Sequence, residues 1–238
     1  MSGGAAPAGG MHIVVVANGE FSQPARLLRV VDGAQVIIAA DGGANWLVSQ
    51  GRLPHVLIGD MDSVAPEVLR ALEEGECRLL RHARDKDETD TELALLEASA
   101  LGAGRITVLG ALGRRIDHAL ANVFLLAMPQ LAGVEAAIFD GTSYLTLARQ
   151  SSVVRGQAGD VVSLLPLGGD AEGISTEGLQ YPLRDETLSF GLARGVSNAL
   201  LQPEGRITLR KGMLLVIHTP AHSLEGQGDE PGSAPESL

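Results

Sequence analysis

Apolar runs alternate with amphipathic stretches along the first 140 or so residues of the chain. The predicted strands are residues 12–17, 36–40, 56–59, 78–81, 106–109 and 135–139. The helical patterns between them cover residues 25–31, 44–50, 66–74, 90–101 and 117–128. Near-continuous apolar strands that alternate with helices are typical of a mainly parallel sheet buried on both faces. We therefore predict a Rossmann-like α/β domain for the N-terminal part.

The pattern changes after about residue 140, where short apolar runs follow one another without helices between them. These runs cover residues 144–147, 161–166, 187–190, 207–209 and 213–218. Gly, Pro and Asp separate them, which is typical of an antiparallel all-β domain, either a sandwich or an open barrel. The predicted organisation is a tail at 1–11, an α/β domain at 12–145, a smaller sandwich-like β domain at 146–220 and a tail at 221–238. Both tails are expected to be disordered, and the domain boundary is expected within 140–152.

The helix predicted at 90–101 has a clear start signal. Thr89 and Glu92 fit a capping box, with Thr89 as the N-cap. Leu93, Leu96 and Ala100 recur at helical spacing, so we expect them on the core-facing side.

Composition narrows the class of protein. The 238 residues are 45% hydrophobic but only 3% aromatic, which is enough for a core built mostly of aliphatic side chains. The net charge of −11 argues against a nucleic-acid partner. The single cysteine, Cys77, excludes an internal disulfide and favours a reducing compartment, so we expect a cytoplasmic protein. No apolar run approaches the ~20 residues of a membrane span, and residues 1–10 lack the features of a signal peptide.

Two acidic clusters lie about 25 residues apart, each after an apolar run and before a helical pattern. They are Gly59-Asp60-Met61-Asp62-Ser63 and Asp85-Lys86-Asp87-Glu88-Thr89-Asp90. An open α/β sheet builds its site at the carboxyl ends of its strands. Clustered carboxylates repel one another unless they share a cation, and Mg²⁺ is usually held by carboxylates together with nucleotide phosphates. The pattern predicts Mg²⁺-dependent phosphoryl chemistry, although a solvated acidic loop, with Ser63 capping the next helix, is the structural alternative.

Two glycine-containing turns add candidate groups. They are Asp41-Gly42-Gly43-Ala44-Asn45 and Gly110-Ala111-Leu112-Gly113-Arg114-Arg115-Ile116-Asp117-His118. The first allows a ligand to approach the backbone closely, or is an ordinary strand-to-helix turn. In the second, Arg115 is suited to bidentate phosphate binding. Asp117 either acts on a hydroxyl group or is an ordinary first-turn acid, and His118 is expected to be structural. The chain has no P-loop and no complete Gly-x-Gly-x-x-Gly, and its His residues lack zinc-site spacing.

In order and spacing these motifs resemble the thiamine pyrophosphokinase (thiamine diphosphokinase) family over residues 12–218. The matching N-terminal signatures are Asp41-Gly42-Gly43-x-Asn45, Gly59-Asp60-x-Asp62-Ser63, Asp85-x-Asp87-x-Thr89-Asp90 and Gly110-x-x-Gly113-x-Arg115-x-Asp117-His118 with Asn122. The C-terminal ones are Gly173-Ile174-Ser175-Thr176-x-Gly178-Leu179-x-Tyr181 and Gly195-Val196-Ser197-Asn198. Two positions depart from the family pattern: Arg114 replaces a usual glycine, and Tyr181 rather than the lone Trp46 takes the aromatic position for thiamine.

The resemblance implies a Mg²⁺-dependent enzyme that transfers diphosphate from ATP to the hydroxyl of thiamine, giving thiamine diphosphate and AMP. By residue matching, the carboxylates that would hold Mg²⁺ are Asp60, Asp62 and Asp90. The residues that would line the ATP side are Asp41, Asn45, Ser63, Lys86, Asp87 and Thr89. Arg115 and Asp117 would flank the reacting groups. The residues that would contact thiamine are Asp117, Tyr181, Ser197 and Asn198. In the family the site forms between two subunits, so a homodimer is expected.

Two other functions remain open from the sequence. One is a related Mg²⁺-dependent kinase or diphosphokinase that acts on another small alcohol, such as a pterin or a sugar, because the N-terminal motifs do not identify the acceptor. A non-catalytic sensor of thiamine diphosphate or a nucleotide is a third reading. The complete carboxylate set argues against a sensor, and the C-terminal matches favour thiamine as the acceptor.

Overall fold

The computed structural model describes residues 10–113 and 115–223 of the chain. The predicted tails lie largely outside these described residues, as does Arg114. The chain divides between Leu147 and Ala148 into two compact units, an α/β unit and a β unit. Among the described residues, no helix combines the length and the apolar character that crossing a membrane requires.

The α/β unit is built on six parallel strands, which confirms the predicted fold class. The parallel strands are β1 (Met11–Val16), β2 (Val36–Ala40), β3 (Val56–Gly59), β4 (Arg78–Arg81), β5 (Ala103–Leu109) and β6 (Glu135–Phe139). A seventh strand, β7 (Tyr144–Ala148), pairs with β6 in the antiparallel direction. These strands lie in the order β4-β3-β2-β1-β5-β6-β7, and only the pairing of β6 with β7 is antiparallel among them. β1 and β2 are almost fully buried because helices cover both faces of a parallel sheet.

In the described part of the α/β unit, five helices connect these strands. They are α1 (Pro24–Asp32), α2 (Gly43–Ser49), α3 (Pro66–Glu73), α4 (Asp90–Ala100) and α5 (Ile116–Leu125). A short 3₁₀ turn at Pro129–Leu131 precedes β6.

The predicted N-terminus of α4 is confirmed, since Thr89 is its N-cap and Thr89 Oγ1 accepts a hydrogen bond of 3.1 Å from the Glu92 amide. The predicted core face of α4 is partly wrong. The buried side chains of this helix are Leu93, Ala94, Leu95 and Ala98. Ala100 is exposed and Leu96 is only half-buried. The reason is that α4 contacts four strands, β1, β2, β3 and β5, so a broad surface of the helix is covered rather than a narrow stripe.

The capping role considered for Ser63 is wrong. Helix α3 begins at Pro66 with Ala65 as its N-cap, and no side chain caps it. The fixed φ of a proline suits the first helical position, where no amide donor is needed. Ser63 is therefore free to serve the loop that carries the first acidic cluster.

Within the described residues of the β unit, the strands pair in the antiparallel direction, as predicted. They are β8 (Ser151–Arg155), β9 (Val161–Pro166), β10 (Ala171–Glu177), β11 (Arg184–Leu188), β12 (Asn198–Ala199), β13 (Glu204–Thr208) and β14 (Leu214–Thr219). Two groups form, β12-β9-β14 and β11-β10-β13-β8. Leu164 and Val216 from the first group share one apolar cluster with Ile174 and Ile207 from the second. This common core makes the unit a sandwich.

Candidate functional site

A cleft of about 1080 Å³ opens in the α/β unit. Its walls are the loops after β1, β2, β3 and β5 and the segment that leads from β4 into α4. The sheet order changes direction between β1 and β5, because the chain runs outward from β1 to β4 on one side and from β5 to β6 on the other. Open α/β sheets bind ligands outside the carboxyl ends of their strands at such a point. The fold therefore places the cleft where a ligand site is expected.

Three carboxylates converge on one side of the cleft. Oxygens of Asp41, Asp60 and Asp62 lie within 4.8 Å of one another. The Asp62 amide donates to Asp60 Oδ1 at 3.0 Å, and Ser63 Oγ donates to Asp62 Oδ1 at 3.0 Å. Left-handed backbone at Asp41 (φ 45°) and Met61 (φ 67°) turns the chain sharply at both strand ends. These turns bring carboxylates from two neighbouring strands together.

Asp90 approaches this cluster from the first turn of α4. Its Oδ1 is buried and accepts no hydrogen bond of regular geometry, although Lys86 Nζ lies 2.9 Å away. A Cβ built on Gly59, where φ is +142°, would lie 2.9 Å from Asp90 Oδ1 and 3.2 Å from Asp41 Cβ. Gly59 is thus the position around which the carboxylates of Asp41 and Asp90 approach each other.

The electrostatics of Asp41 reflect this crowding. Burial raises the pKa of the Asp41 carboxyl above its ordinary value, and the nearby charge of Asp90 adds to the rise. Hydrogen bonds from Ser63 act in the opposite direction. A cation in the cluster would favour the ionised form of Asp41, since an opposite charge stabilises a carboxylate.

The donor set fits a hard divalent cation. The three converging carboxylates, and that of Asp90 outside their 4.8 Å group, supply oxygen ligands only, and Mg²⁺ prefers oxygen. The under-satisfied Asp90 Oδ1 is the kind of buried acceptor that a cation would complete. The matched residues Asp60, Asp62 and Asp90 all face the cleft, and Asp41 joins them as a further candidate ligand.

Basic side chains pair with these acids. Arg84 lines the cleft, and its Nη2 lies 3.4 Å from Asp62 Oδ2. Lys86 is largely buried beside Asp90, with a side-chain exposure of 13%. Each cation is therefore close enough to neutralise a carboxylate and to face an anionic ligand in the same cleft.

Arg115 and Asp117 form an ion pair at the start of α5. Arg115 donates to both carboxylate oxygens of Asp117, at 3.2 and 2.5 Å. The hydrogen bond from Arg115 lowers the pKa of Asp117 to about 2. Asp117 is therefore ionised at neutral pH, but a carboxylate of such low basicity is poorly suited to remove a proton.

The candidate residues of the α/β unit divide into two groups. Those that line the cleft are Asp41, Asp60, Asp62, Ser63, Lys86, Thr89, Asp90 and Arg115. Those outside the lining are Asn45, Asp87 and Asp117. The side chain of Asn45 contacts the backbone that follows the first acidic cluster. Asn45 Nδ2 donates to Ser63 O at 2.8 Å, and Asn45 Oδ1 accepts from the Ala65 backbone amide at 2.9 Å. Asn45 thus holds the acidic loop in place.

Sequence reasoning missed the loop after β1. Residues 17–22 line the cleft, beginning with Ala17 and Asn18. The Gly19 amide donates to Gly110 O and the Glu20 amide donates to Leu112 O, both at 2.8 Å. A signal was present, because Asn-Gly directly after a buried strand marks a turn at the site edge of the sheet. His118 and Asn122 also line the cleft, and Asn122 donates to Ala111 O at 2.7 Å.

In the β unit, Tyr181, Ser197 and Asn198 lie close together. Asn198 accepts from the Tyr181 amide at 3.0 Å and donates to Tyr181 O at 2.8 Å. The amide of Ser197 donates to Ser163 Oγ at 3.1 Å. The Tyr181 side chain is 64% exposed, so its ring is available to a ligand. Asn198 is buried and its side chain is hydrogen-bonded to the backbone of Tyr181, which supports a role in fixing the position of Tyr181.

Two family models match the chain. "Thiamin pyrophosphokinase, catalytic domain" matches residues 27–138, and "Thiamin pyrophosphokinase, vitamin B1 binding domain" matches residues 150–214. The thiamine pyrophosphokinase of Bacillus subtilis is 26% identical over 209 residues, covering 87% of this chain and 98% of the relative. Thiamine pyrophosphokinase 1 of Oryza sativa is 28% identical over 230 residues, covering 87% and 86%.

Solved structures agree with these matches. The thiamine pyrophosphokinase of Bacillus subtilis superposes with a TM-score of 0.79 at 25% identity, covering 88% of this chain and 99% of the other. The enzyme of Geobacillus thermodenitrificans gives a TM-score of 0.76 at 28% identity, covering 88% and 97%. The yeast thiamin pyrophosphokinase, at 16% identity, shares the fold with a TM-score of 0.78 and covers 93% and 90%.

Proposed function

Because this chain belongs to the thiamin pyrophosphokinase family, we propose that it transfers the diphosphate group of ATP to the hydroxyl oxygen of thiamine and releases AMP. The catalytic-domain match covers most of the α/β unit, and the vitamin B1 match lies within the β unit. The observation that carries the proposal is the convergence of Asp41, Asp60 and Asp62 in the cleft of the matched catalytic domain.

We assign the metal site to the carboxylates of this cluster. Asp60, Asp62 and Asp90 would hold Mg²⁺, with Asp41 as a fourth oxygen donor. Charge neutralisation on the phosphate oxygens of ATP is the chemistry that bound Mg²⁺ supplies. Arg84 and Lys86 offset part of the repulsion between these carboxylates, and a bound cation would offset more of it.

The nucleotide phosphates would lie against the start of α4 and the cations around it. Free amides at a helix N-terminus favour anions, and α4 begins at Asp90 beside Thr89 and Lys86. Ser63, Asp41 and Asn45 would complete the nucleotide side, Asn45 through its hold on the acidic loop. Asp87 lies outside the cleft lining, and its role rests on residue matching alone.

The transfer itself depends on alignment. The thiamine hydroxyl oxygen would form a bond to the β-phosphorus as the bond from that phosphorus to the α–β bridging oxygen breaks. AMP would leave with the bridging oxygen, and the hydroxyl proton would pass to water. Arg115 would face the developing phosphate charge. Asp117 lies outside the cleft lining, so a role in orienting the hydroxyl group rests on residue matching, and its low pKa, about 2, disfavours removal of the proton by this carboxylate.

Thiamine would be held against the β unit. The exposed ring of Tyr181 can stack on the cationic thiazolium or on the pyrimidine. Ser197 and Asn198 lie next to this ring, and Asn198 fixes the backbone of Tyr181. The net charge of −11 also favours a cationic substrate.

The direct test is the substrate requirement of AMP release. We expect AMP to form from ATP only when both thiamine and a divalent cation are present, and chelation of the metal to stop the reaction. AMP release that does not depend on thiamine would contradict the proposed acceptor.

We propose that the active form is a homodimer in which each site uses the α/β unit of one copy and the β unit of the other. Helix α5 supports this, since none of its residues is buried. Ile116, Leu120 and Phe124 recur every four residues and are 73%, 51% and 55% exposed. Such an apolar stripe on the surface marks an interaction face. The β unit exposes apolar residues as well, including Phe190 at 60% and Leu192 at 66%.

Leu120→Asp is expected to weaken the dimer. A charge in an apolar contact is costly, so we expect the dissociation constant, measured by analytical ultracentrifugation, to rise at least about tenfold. Turnover should fall at concentrations where the variant is monomeric. Leu53→Asp is the matched control, because Leu53 is also exposed, at 61%, but belongs to the loop between α2 and β3. Equal dimer stability in both variants would exclude the α5 face.

Mixing two inactive variants tests whether the site is shared. Asp62→Asn disables the α/β unit and Tyr181→Ala disables the β unit, so a mixed dimer carries one site with both defects and one intact site. Random exchange should restore about a quarter of wild-type turnover, since half of the dimers are mixed. Absence of recovery, with mixed dimers demonstrated by mass spectrometry, would show that each site is built from one copy.

We also propose a cytoplasmic location. It rests on Cys77, the single cysteine, which packs against the core of the α/β unit. Burial raises the pKa of its thiol, which disfavours the reactive thiolate and leaves Cys77 as a packing residue.

A further inference from the structure

Two aromatic residues, Phe21 and Trp46, stack beside the cleft, and no role has yet been assigned to this pair. The rings of Phe21 and Trp46 stack at a centroid distance of 4.3 Å with planes 6° apart. Phe21 belongs to the loop after β1 and lines the cleft. Trp46 belongs to α2, the helix that begins at the Asp41 turn. Both rings are half-buried against the core of the α/β unit, which holds them in place.

Phe21 also contacts the loop after β5. A Cβ built on Gly110, where φ is +62°, would lie 2.6 Å from Phe21 Cζ, so the ring edge packs directly on this glycine. The two loops are joined by hydrogen bonds from the amides of Gly19 and Glu20 to the carbonyl oxygens of Gly110 and Leu112. The loop after β5 therefore has little freedom to move relative to Phe21. This is the loop that leads to Arg115.

Trp46 is linked in turn to the first acidic cluster. The residue before Trp46 is Asn45, whose side chain donates a hydrogen bond to Ser63 O and accepts one from the Ala65 backbone amide. A continuous series of contacts thus runs from Gly110 through Phe21 and Trp46 to the loop that carries Asp60 and Asp62. The two ends of this series are the two halves of the cleft, one with the carboxylates and one with Arg115.

We propose that Phe21 is a positioning residue that sets the spacing between the carboxylate loop and the loop after β5. This inference rests on the proposed function, since that spacing determines how the acceptor hydroxyl meets the β-phosphorus. Phe21 acts through other groups and contacts no reacting atom. Transfer reactions that depend on alignment are sensitive to small displacements, and a shift of about 1 Å can cost roughly a hundredfold in rate.

The test compares Phe21→Leu, Phe21→Tyr and a matched control, Phe139→Leu. Phe139 is also a stacked core aromatic, with its ring 4.2 Å from Tyr144, but it does not line the cleft. We expect Phe21→Leu to lower kcat roughly tenfold to a hundredfold while KM for Mg²⁺-ATP changes by less than about threefold. Phe21→Tyr keeps the stack on Trp46 but adds a hydroxyl at Cζ, the ring atom that packs on Gly110, so kcat should fall even though the stack is kept. Phe139→Leu should keep kcat despite an equal or larger loss of thermal stability.

Trp46 provides a second readout because it is the only tryptophan of the chain. Loss of the stack in Phe21→Leu should shift its fluorescence emission, and Phe21→Tyr and Phe139→Leu should leave the emission at the wild-type position. Wild-type kcat in Phe21→Leu, or equal kcat losses in Phe21→Leu and Phe139→Leu, would overturn the proposal.

A wild-type protein without thiamine turnover would refute the proposed function but not the positioning role by itself. In that event, amide hydrogen exchange across residues 110–113 and 60–63 decides. Faster exchange in both loops of Phe21→Leu, with wild-type exchange in Phe139→Leu, supports the spacing role. Unchanged exchange in Phe21→Leu overturns it.

Discussion

Asp62→Asn is expected to lower the formation of AMP and thiamine diphosphate by roughly a hundredfold or more, and to raise the Mg²⁺ concentration needed for half-maximal rate. Even residues that only support metal ligands typically cost about 10–100-fold in metal affinity or activity when replaced. Asp62 is itself a candidate ligand, with its oxygens within 4.8 Å of those of Asp41 and Asp60. Asparagine keeps the shape of the side chain but removes the charge. Steady-state rates across a Mg²⁺ titration measure both effects.

Asp85→Asn is the matched control for this result. Asp85 belongs to the second acidic cluster, is exposed and does not line the cleft. Its replacement removes the same unit of negative charge from the neighbourhood, so any general effect of net charge appears in both variants. Equal losses in the two variants would show that Asp62 has no specific role and would remove the basis of the assigned metal site.

Gly59→Ala is expected to have the second large effect. A side chain at φ +142° is strained by about 1–3 kcal/mol, and the added Cβ would press on Asp90 Oδ1 from 2.9 Å. Asp90 lies in the first turn of α4, so it must rotate away or shift the helix start. We expect turnover to fall at least about tenfold and the Mg²⁺ requirement to rise. The thermal midpoint and the Mg²⁺ dependence of the rate are the measurements.

Gly169→Ala separates backbone strain from the contact with Asp90. Gly169 has φ +149°, nearly the value at Gly59, and no atom lies within 4 Å of its added Cβ. It should therefore lose stability through the same backbone strain and keep the wild-type Mg²⁺ dependence. If Gly59→Ala also keeps that dependence, the close approach of Asp90 to the cluster plays no part in metal binding.

The α/β half of the fold was predictable because its strands carry their own signal. β1 and β2 are continuous apolar segments, and a parallel sheet covered on both faces requires such segments. The β unit was harder to predict. β8 and β10 mix polar with apolar residues, because only one face of each packs on the core, and neither was predicted. The two-residue strand β12 is too short to leave a pattern.

The prediction for α4 shows a different limit. Its N-cap was predictable from Thr89 and Glu92, since capping is a local interaction. Its buried face was not, because Leu95 and Ala98 are buried by contacts with several strands at once. The capping role considered for Ser63 also came from a local pattern. An N-cap at Ser63 would start the helix at residue 64, but α3 begins two residues later, at Pro66.

The candidate site was predictable at the level of motifs. Asp60, Asp62 and Asp90 all face one cleft, as their positions after strands suggested. The proximity of Asp41 to Asp60 and Asp62 could not be predicted from the sequence, because it depends on left-handed backbone at two strand ends. The contact between Phe21 and Trp46 was also unpredictable, since a stack between residues 21 and 46 leaves no trace in either local pattern. The individual roles of these residues stay predictions.

Identification of the first products made from ATP and thiamine tests the central claim most directly. With a divalent cation present, ³¹P NMR and mass spectrometry of samples quenched within the first turnovers should show AMP and thiamine diphosphate in equal amounts, with no thiamine monophosphate before them. That result means transfer of the intact diphosphate in one step. Formation of ADP together with thiamine monophosphate would contradict the account, because it requires attack at the γ-phosphorus and a different placement of the acceptor in the cleft.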